Sequence, residues 1–582
     1  MIERMTKYSF ILLERQTSGF LSDLQELGVV DITRSTKVID AQSAEKMAEC
    51  DALKKRIAYL RSGRYEGDSR YDELLAALQE ATKRRDEVEP WGAYDRDALA
   101  LLAANGIKLD YYCCPSKAFN GSWAEEYALE VIGECNDKKY FVIVHPSGEP
   151  TGFPVAACPA PEITSVEAQA ALADAEAAVK AREKEIDEER RNISSLEEEY
   201  ADKVAGLDLY LAGKSVEKAG EDTIDVLIGF APTDGDKELC ATLDGMDVFY
   251  IKEDASVEDE PPIKLRNNRF ASMFEVLTDM YGRPAYNGFD PTPYISVFFL
   301  LFFAMCMGDA GYGIILMIVG ILLKKNKGFA GLSPLVITLG AGTFVIGMLF
   351  HTFFSVDIAQ WGWIPQWLKN CMVPAKIAGY DGTMILAIAI GIIHLCLAMT
   401  VKAIEETKTK GFLECLGTWG WTLLIVGGTV TGAVALSGII DKAAARIIII
   451  VLGIISAHGI FILNDIHSNP LKNIGSGLWT TYNTVTGILG DVLSYLRLYA
   501  LGLAGSMLGS AFNQLGGMIL GDGGLRWVPF LLIVIIGHTL NIAMAALGAF
   551  VHPLRLNFLE FFKNSGYEGS GRNYNPLTKK QS

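Results

Sequence analysis

Arg497 stands near the middle of a long apolar run, Gly490-Asp491-Val492-Leu493-Ser494-Tyr495-Leu496-Arg497-Leu498-Tyr499-Ala500-Leu501-Gly502. Between Thr484 and Leu520 the only charged residues are Asp491 and Arg497. A guanidinium keeps its proton in a protein, so it cannot escape burial by becoming neutral. Placing it at membrane depth costs about 2.5–3.5 kcal/mol on insertion scales. A chain that accepts that cost commonly uses the charge, and an ion-pathway arginine is the expectation. The competing reading is an arginine that snorkels or pairs structurally.

Polar groups collect around it. Ser494, Tyr495, Tyr499, Ser506, Asn513 and Gln514 share its span, and Gly502, Gly505 and Gly509 let another helix approach closely. In the last apolar segment His538, Asn541, Ala545, Gly548, His552 and Arg555 recur at three-to-four spacing and so share one helical face. Glu560 follows beyond Arg555, with Pro553 placed to kink the helix between them. A stripe holding two histidines, an asparagine and an arginine suits a hydrated ion path better than plain helix contact. The lone histidines His351 and His394 read equally well as hydrogen-bonded packing.

The elements that position these residues form the second half of the chain. Residues 1–290 hold 34 Lys and Arg against 57 Asp and Glu, whereas the remainder holds 18 against 12. The first part is an acidic soluble module, whose charge argues against nucleic acid as a partner. The second alternates apolar segments, at about 294–307, 309–323, 332–354, 383–402, 416–440, 446–465, 485–515 and 527–562, with short basic loops. The first two are separated only by Met307-Gly308-Asp309 and form either one kinked helix or a tight hairpin. Eight spans place both termini on one side. Lys324, Lys325, Lys327, Lys402, Lys408, Lys410, Lys472, Lys563, Arg572, Lys579 and Lys580 then share that side, against Lys369, Lys376, Lys442, Arg446 and Arg526 opposite. The bias predicts cytoplasmic termini. Trp361, Trp363 and Trp367 in the longest outward loop suit an interfacial aromatic belt.

In the soluble half, Tyr8–Leu13 reads as a strand, Gly19–Leu27 as a short helix and Val29–Ile32 as a second strand. The order recurs at Ile224–Phe230, Lys237–Leu243 and Val248–Ile251, so residues 1–38 and 220–260 are expected to pair as a proximal α/β lobe. Between them, Met47, Cys50, Leu53, Ile57 and Leu60 continue, after Gly63 and Gly67, with Tyr71, Leu74, Leu78, Ala81 and Val88. Leu172, Val179, Ile186, Ile193 and Tyr200 fall seven apart, a coiled-coil spacing, but Ala175, Arg182, Glu189 and Leu196 are poor in-between core positions. The expectation is an antiparallel helical hairpin of 40–90 and 162–206 with a distal lobe over 100–160, its strand at Tyr140–Val144. The predicted fold is therefore two-part: cytoplasmic α/β lobes joined by a long coiled-coil-like arm over 1–290, then an all-α domain of about eight transmembrane helices over 291–582.

Several chemistries find no support. Gly213-Lys214-Ser215 resembles the end of a phosphate-binding loop, but Asp208 occupies the required glycine position. Ten scattered cysteines lack metal spacing and point to a reduced compartment. Met1–Lys7 opens into a strand without a signal-peptide core. No cofactor or metal is expected.

The segment Gly490 to Leu501 resembles the arginine-bearing helix of the a subunit of V-type and A-type rotary ATPases, called subunit I in bacteria and archaea. Three further stretches fit. Pro262-Ile263-Lys264-Leu265 with Asn267-Asn268, Phe270, Phe274-Glu275, Thr278, Tyr281-Gly282 and Asp290-Pro291-Thr292-Pro293 is similar to the family's junction into the membrane. Met307-Gly308-Asp309-Ala310-Gly311-Tyr312-Gly313 resembles its first hairpin turn, and His552-Pro553-Leu554-Arg555-Leu556 with Glu560 its final helix.

The resemblance implies a membrane stator beside a rotating proteolipid ring, with two offset half-channels carrying H⁺ or Na⁺. Arg497 would meet each ring carboxylate, with Arg555 supplementing it. Asp491, Ser494, Tyr495, Tyr499, His538, Asn541, His552 and Glu560 would be channel candidates, with His394 and the Glu405-Glu406 pair as further ones. The implied partners are the ring, peripheral-stalk subunits of the E/G type, and the central stalk and ATP-hydrolysing head; the chain itself would not hydrolyse ATP. Two other classes compete. A secondary ion antiporter would also want buried charges, but no internal repeat of spans is present. A structural scaffold would need no buried arginine.

Overall fold

The computed structural model describes residues 1–34, 39–146, 152–219, 223–246, 248–325, 328–359, 362, 365–374, 376–377, 379–463, 470–519 and 527–579. Lys327, Trp361, Trp363, Arg526 and Lys580, used above, lie outside them. The chain divides into two compact units: Met1–Glu14, Val29–Ile32 and Lys218–Pro576 form one, and Arg15–Gly28, Thr33–Glu217 and Leu577–Ser582 the other.

The second unit is a set of capped helices and a small sheet. Ala41–Ser62 begins at Asp40, which exchanges capping bonds with Ser43, and ends at Gly63, whose φ of 72° is left-handed. Ser69–Val88 begins at Asp68, and Ser165–Arg191 at a capping box of Thr164 and Glu167. Ile193–Lys214 packs on Ala41–Ser62, and Ser165–Arg191 on Ser69–Val88, which makes the pairing antiparallel. The seven-residue spacing is realised at Val179 and Ile186, which bury with Leu60 and Tyr71. The polar in-between positions have partners instead of a core. Arg182 reaches Asp68 at 2.9 Å, and Glu189 receives Arg56 at 2.6 Å. Asp68 also receives Arg56 at 2.8 Å, and these guanidiniums, Arg182 foremost, hold its carboxyl well below the usual carboxylate range. A separate antiparallel sheet takes the order Leu129–Cys135, Lys138–Pro146, Ile107–Pro115, Ala157–Cys158 around Phe141, Tyr112 and Phe153. Gly213-Lys214-Ser215 lies where Ile193–Lys214 ends. Helix C-termini present carbonyls, the wrong pole for phosphate.

The first unit carries an antiparallel sheet in which both β-α-β pieces take part. Met5–Leu13 lies between Ile224–Pro232 and Phe249–Asp254, and Asp31–Ile32 adds to the far edge of Ile224–Pro232. The buried Asp236 accepts from the Tyr8 hydroxyl at 2.7 Å and the Thr6 hydroxyl at 2.9 Å, and pairs with Lys252 at 2.6 Å. Burial, then the bond to Asp236, pushes the Tyr8 phenol far above its ordinary range. The chain's last residues return to this region: Gly571 pairs with Arg283, Asn573 with Ile263, and the Asn575 N–H donates to Asp31 at 2.9 Å.

The membrane-type helices follow, labelled α1 (Thr292–Met307), α2 (Ala310–Leu323), α3 (Ser333–Leu349), α4 (Gly382–Lys410), α5 (Leu416–Leu436), α6 (Lys442–Phe461), α7 (Pro470–Ser494), α8 (Leu496–Ile519) and α9 (Trp527–Arg555). Among the described residues six helical stretches are long and apolar enough to cross a membrane, the fifth being Leu471–Ile519, which joins α7 and α8. The apolar α1 and α2 are shorter.

One alternative that the sequence left open closes, and two features differ from its reading. The Gly308-Asp309 turn separates two helices: Gly308 takes φ 55°, and Asp309 caps α2 by accepting from the Gly311 and Tyr312 N–H groups. Six of the eight expected spans therefore reach crossing length. The expected segment 485–515 is part of a run of 49 residues, broken at Tyr495. That is more than twice the roughly 20 residues a bilayer core requires. Finally, α9 continues past Pro553 into a π-helical turn, Leu556–Phe561. The Asn557 amide donates to the Pro553 carbonyl at 2.9 Å there.

Candidate functional site

The two charges of the apolar run do not pair with each other. Asp491 sits at the end of α7 and accepts from the Asn564 amide at 2.8 Å, with the Lys563 ammonium 3.8 Å away. Arg497, on the first turn of α8, is partly buried; its buried Nη1 has no hydrogen-bond partner among the described residues. The same holds for Nδ1 of His552 and Oε2 of the buried Glu560. These three belong together electrostatically, since both His552 and Glu560 lie within reach of the Arg497 charge. The structure thus gathers a guanidinium, an imidazole and a carboxyl, each with an unmet polar atom. Unmet buried polar groups cost roughly 1–3 kcal/mol each, so such a cluster demands water, an ion or a partner chain.

Other stripe residues are used differently. His538 and Asn541 are buried. Nδ1 of His538 is 2.7 Å from the Tyr312 hydroxyl and its Nε2 is 2.9 Å from Oδ1 of Asn513. The Asn541 amide donates to Tyr312 and to the Gly505 carbonyl, both at 2.8 Å. Asn513 in turn donates to the Phe354 carbonyl at 2.8 Å. A polar network therefore ties α2, α8 and α9 to the loop after α3. Tyr312 was read only as part of the hairpin-turn motif; its ring amid the small residues Gly311 and Gly313 was the available signal. Arg555 is exposed. Ser494 donates to the Gly490 carbonyl at 3.1 Å. Glu405 pairs with Lys408 at 2.8 Å on its own helix, and Glu406 accepts from Thr418 at 2.6 Å.

Two cavities open at the end of the bundle that carries the α3–α4 loop. One, of about 200 Å³, is lined by Gly308, His351, Asp381, Tyr499, Gly502 and Ser506 among others. The second, of about 480 Å³, shares His351, Thr352 and Ser506 and reaches Ser510 and Gln514. At the other end a cavity of about 420 Å³ lies among Lys402, Thr418, Thr480, Asn483, Lys563 and Asn564. Arg497 lines none of the three. A further cavity of about 530 Å³ between α5 and α6 is almost wholly apolar and shares no residue with this site.

Comparison with known proteins finds relatives of one kind. The model of the V-type ATPase 116kDa subunit family matches residues 167–331. The A-type ATP synthase subunit I of Methanocaldococcus jannaschii is 30% identical over 371 residues, covering 57% of this chain and 51% of its own length. That of Pyrococcus horikoshii is 32% identical over 352 residues, covering 58% and 50%. The chain thus spans about half the length of these archaeal relatives. The V-type ATP synthase subunit I of Chlamydia pneumoniae is 21% identical across 99% of this chain and 97% of its own. The likeness to subunit I of V/A-type ATP synthases, carried in the sequence by the Arg497 segment, holds in these matches. With six helices of crossing length, the chain is a multi-pass membrane protein.

Proposed function

We propose that this chain is the membrane stator of a rotary V/A-type ATPase, carrying H⁺ or Na⁺ past a rotating ring whose carboxylates meet Arg497. The observation that carries the reading is the unpaired Nη1 of Arg497, whose charge acts on His552 and Glu560, each with an unmatched atom of its own. A guanidinium without an anionic partner among the described residues is poised for one supplied by another chain. Arg497 favours the ionised form of an arriving carboxylate and so releases its ion. Two unit charges about 4 Å apart attract by roughly 4 kcal/mol at an effective dielectric near 20, strong enough to bias release and weak enough for rotation to undo.

The cavities at opposite ends, neither reaching Arg497, support two offset half-channels. Tyr499 and Ser506 line the cavities at one end; Asp491, bonded to Asn564 in the lining of the cavity at the other end, extends that half-channel with Ser494 and Glu560. Arg555 is auxiliary, and His538 with Asn541 frame the path. In this reading α1 and α2 each cross the bilayer, giving eight spans with both termini and the acidic first half in the cytoplasm, as the lysine and arginine bias favours. The soluble lobes and helical hairpin dock the peripheral stalks and resist torque, while ATP is hydrolysed elsewhere in the complex. Affinity purification from native membranes in mild detergent tests the partners: a proteolipid ring and an ATP-hydrolysing head are expected with the chain. Recovery of the chain alone would contradict the stator reading.

A further inference from the structure

Tyr495 is where the 49-residue apolar run leaves the α-helical ladder. Its N–H donates to the Val492 carbonyl at 3.2 Å, and its own carbonyl accepts from the Leu498 N–H at 3.1 Å. Both are three-residue bonds, tighter than the four-residue α pattern, of the kind that marks a turn inside a helix. Neither proline nor glycine occupies the break; the cause is tertiary.

The Tyr495 side chain is fully buried against α4. Its hydroxyl is 2.9 Å from Nδ1 of His394, which is buried as completely. Gly391, one turn earlier on α4, leaves the room. A Cβ built there would stand 2.3 Å from Cγ of Tyr495 and 2.8 Å from its Cβ, distances no side chain tolerates. The His394 ring is itself held, stacked on Phe561 with centroids 4.8 Å apart and 4.2 Å from Phe298. Phe302 meets both the imidazole, at 5.1 Å, and the Tyr495 ring, at 5.7 Å. Helix α4 therefore presents a fitted socket: a missing side chain for the ring, an imidazole for the hydroxyl, and aromatic walls for the imidazole. Nε2 of His394 has no hydrogen-bond partner among the described residues.

Arg497 follows two residues later. In a continuous helix each residue advances about 100° and 1.5 Å, so Arg497's direction and depth would be dictated by α7. The break decouples them and lets the socket dictate both. From this geometry we infer that Tyr495, seated against Gly391 and His394, is the positioning residue that sets the aim of Arg497. The inference rests on the stator reading, in which the aim of Arg497 matters for coupling.

The test measures ions moved per ATP hydrolysed by the whole complex in vesicles, at matched amounts of assembled complex. Gly391→Ala should lower that ratio by about tenfold or more, as ångström-scale misplacement of a reacting group does. Tyr495→Phe, which keeps the ring and loses only the hydroxyl, should lower it by about threefold, the scale of one neutral hydrogen bond. His394→Phe should match Tyr495→Phe, and the double variant should be no worse than either single one, because both remove the same bond. Gly420→Ala is the packing control: its Cβ would meet the Ser456 carbonyl at 3.1 Å, between α5 and α6, and it should leave the ratio unchanged. A parental ratio in Tyr495→Phe, additive losses in the double variant, or an equal loss in Gly420→Ala overturns the inference. Tyr495→Phe and the double variant decide the matter if Gly391→Ala does not assemble. Arg497→Gln separates the two layers: transport by that variant removes the stator reading, whereas a dead Arg497→Gln beside a normal Gly391→Ala removes only this inference.

Discussion

Asp309 holds a loop that lies far along the chain: its carboxylate accepts from the Phe354 N–H at 2.9 Å and the Ser355 N–H at 2.6 Å while also capping α2. Phe354 and Ser355 take φ of 47° and 58°, a region that ordinary side chains avoid. One buried carboxylate thus offsets strain in a segment that lines the cavities near Tyr499. Asp309→Asn removes the charge and leaves one acceptor oxygen, so it should destabilise the chain by about 2 kcal/mol, the scale of lost charge-assisted bonds. Thermal dissociation of the detergent-solubilised complex checks this; an unchanged midpoint would mean the loop is held by other contacts.

Acid sensitivity should localise to Asp68. Arg182 and Arg56 depress its carboxyl below the usual range, so the folded form binds its proton less readily than the unfolded one. That stabilisation is complete above the ordinary carboxylate pKa of about 3.9 and fades as pH falls through the lower folded value. Asp68→Asn lacks it at every pH. Hydrogen exchange of 165–191 should therefore be faster in the variant at neutral pH, with the gap to the parent closing below about pH 4. A gap that stays constant down to strongly acidic pH would contradict the assignment.

Arg555 should matter less than Arg497. It is exposed in the last turn of α9 and forms no ion pair among the described residues. Arg555→Gln should lower ion pumping by no more than about fivefold. Loss as complete as that of Arg497→Gln would place Arg555 on the essential path.

Sidedness is open to labelling. Cys371, exposed in the α3–α4 loop, should react from outside. Lys54→Cys and Ser570→Cys, at exposed positions, should react only from inside. Lys54→Cys and Ser570→Cys reacting from opposite faces would mean an odd number of crossings, with α1 and α2 failing to act as two.

The legible parts of this chain were those carried by local pattern. A lone arginine in an apolar run, a polar stripe at three-to-four spacing and the seven-residue series at Val179 and Ile186 each follow from helix geometry. The start of α7 at Pro470 was hidden because Thr480, Thr481, Tyr482 and Asn483 dilute its apolar signal. The break at Tyr495 was hidden because the room its ring occupies is left by Gly391, on another helix. The stripe on α9 read as one path, yet its two ends do different work: His538 and Asn541 are satisfied by Tyr312, Asn513 and Gly505, whereas Nδ1 of His552 has no partner among the described residues. Spacing shows which residues share a face; it does not show which of them find partners.

The central claim is that the charge and shape of Arg497 drive ion release from a partner carboxylate. Lysine keeps a positive charge but loses the planar five-donor fork and sheds its proton when buried. The decisive measurement is ATP-driven ion uptake into vesicles carrying the complex with Arg497→Gln or Arg497→Lys, beside an assembly check on the same membranes. Both variants are predicted to assemble and to transport nothing above background; near-parental uptake by the assembled Arg497→Gln complex would contradict the account.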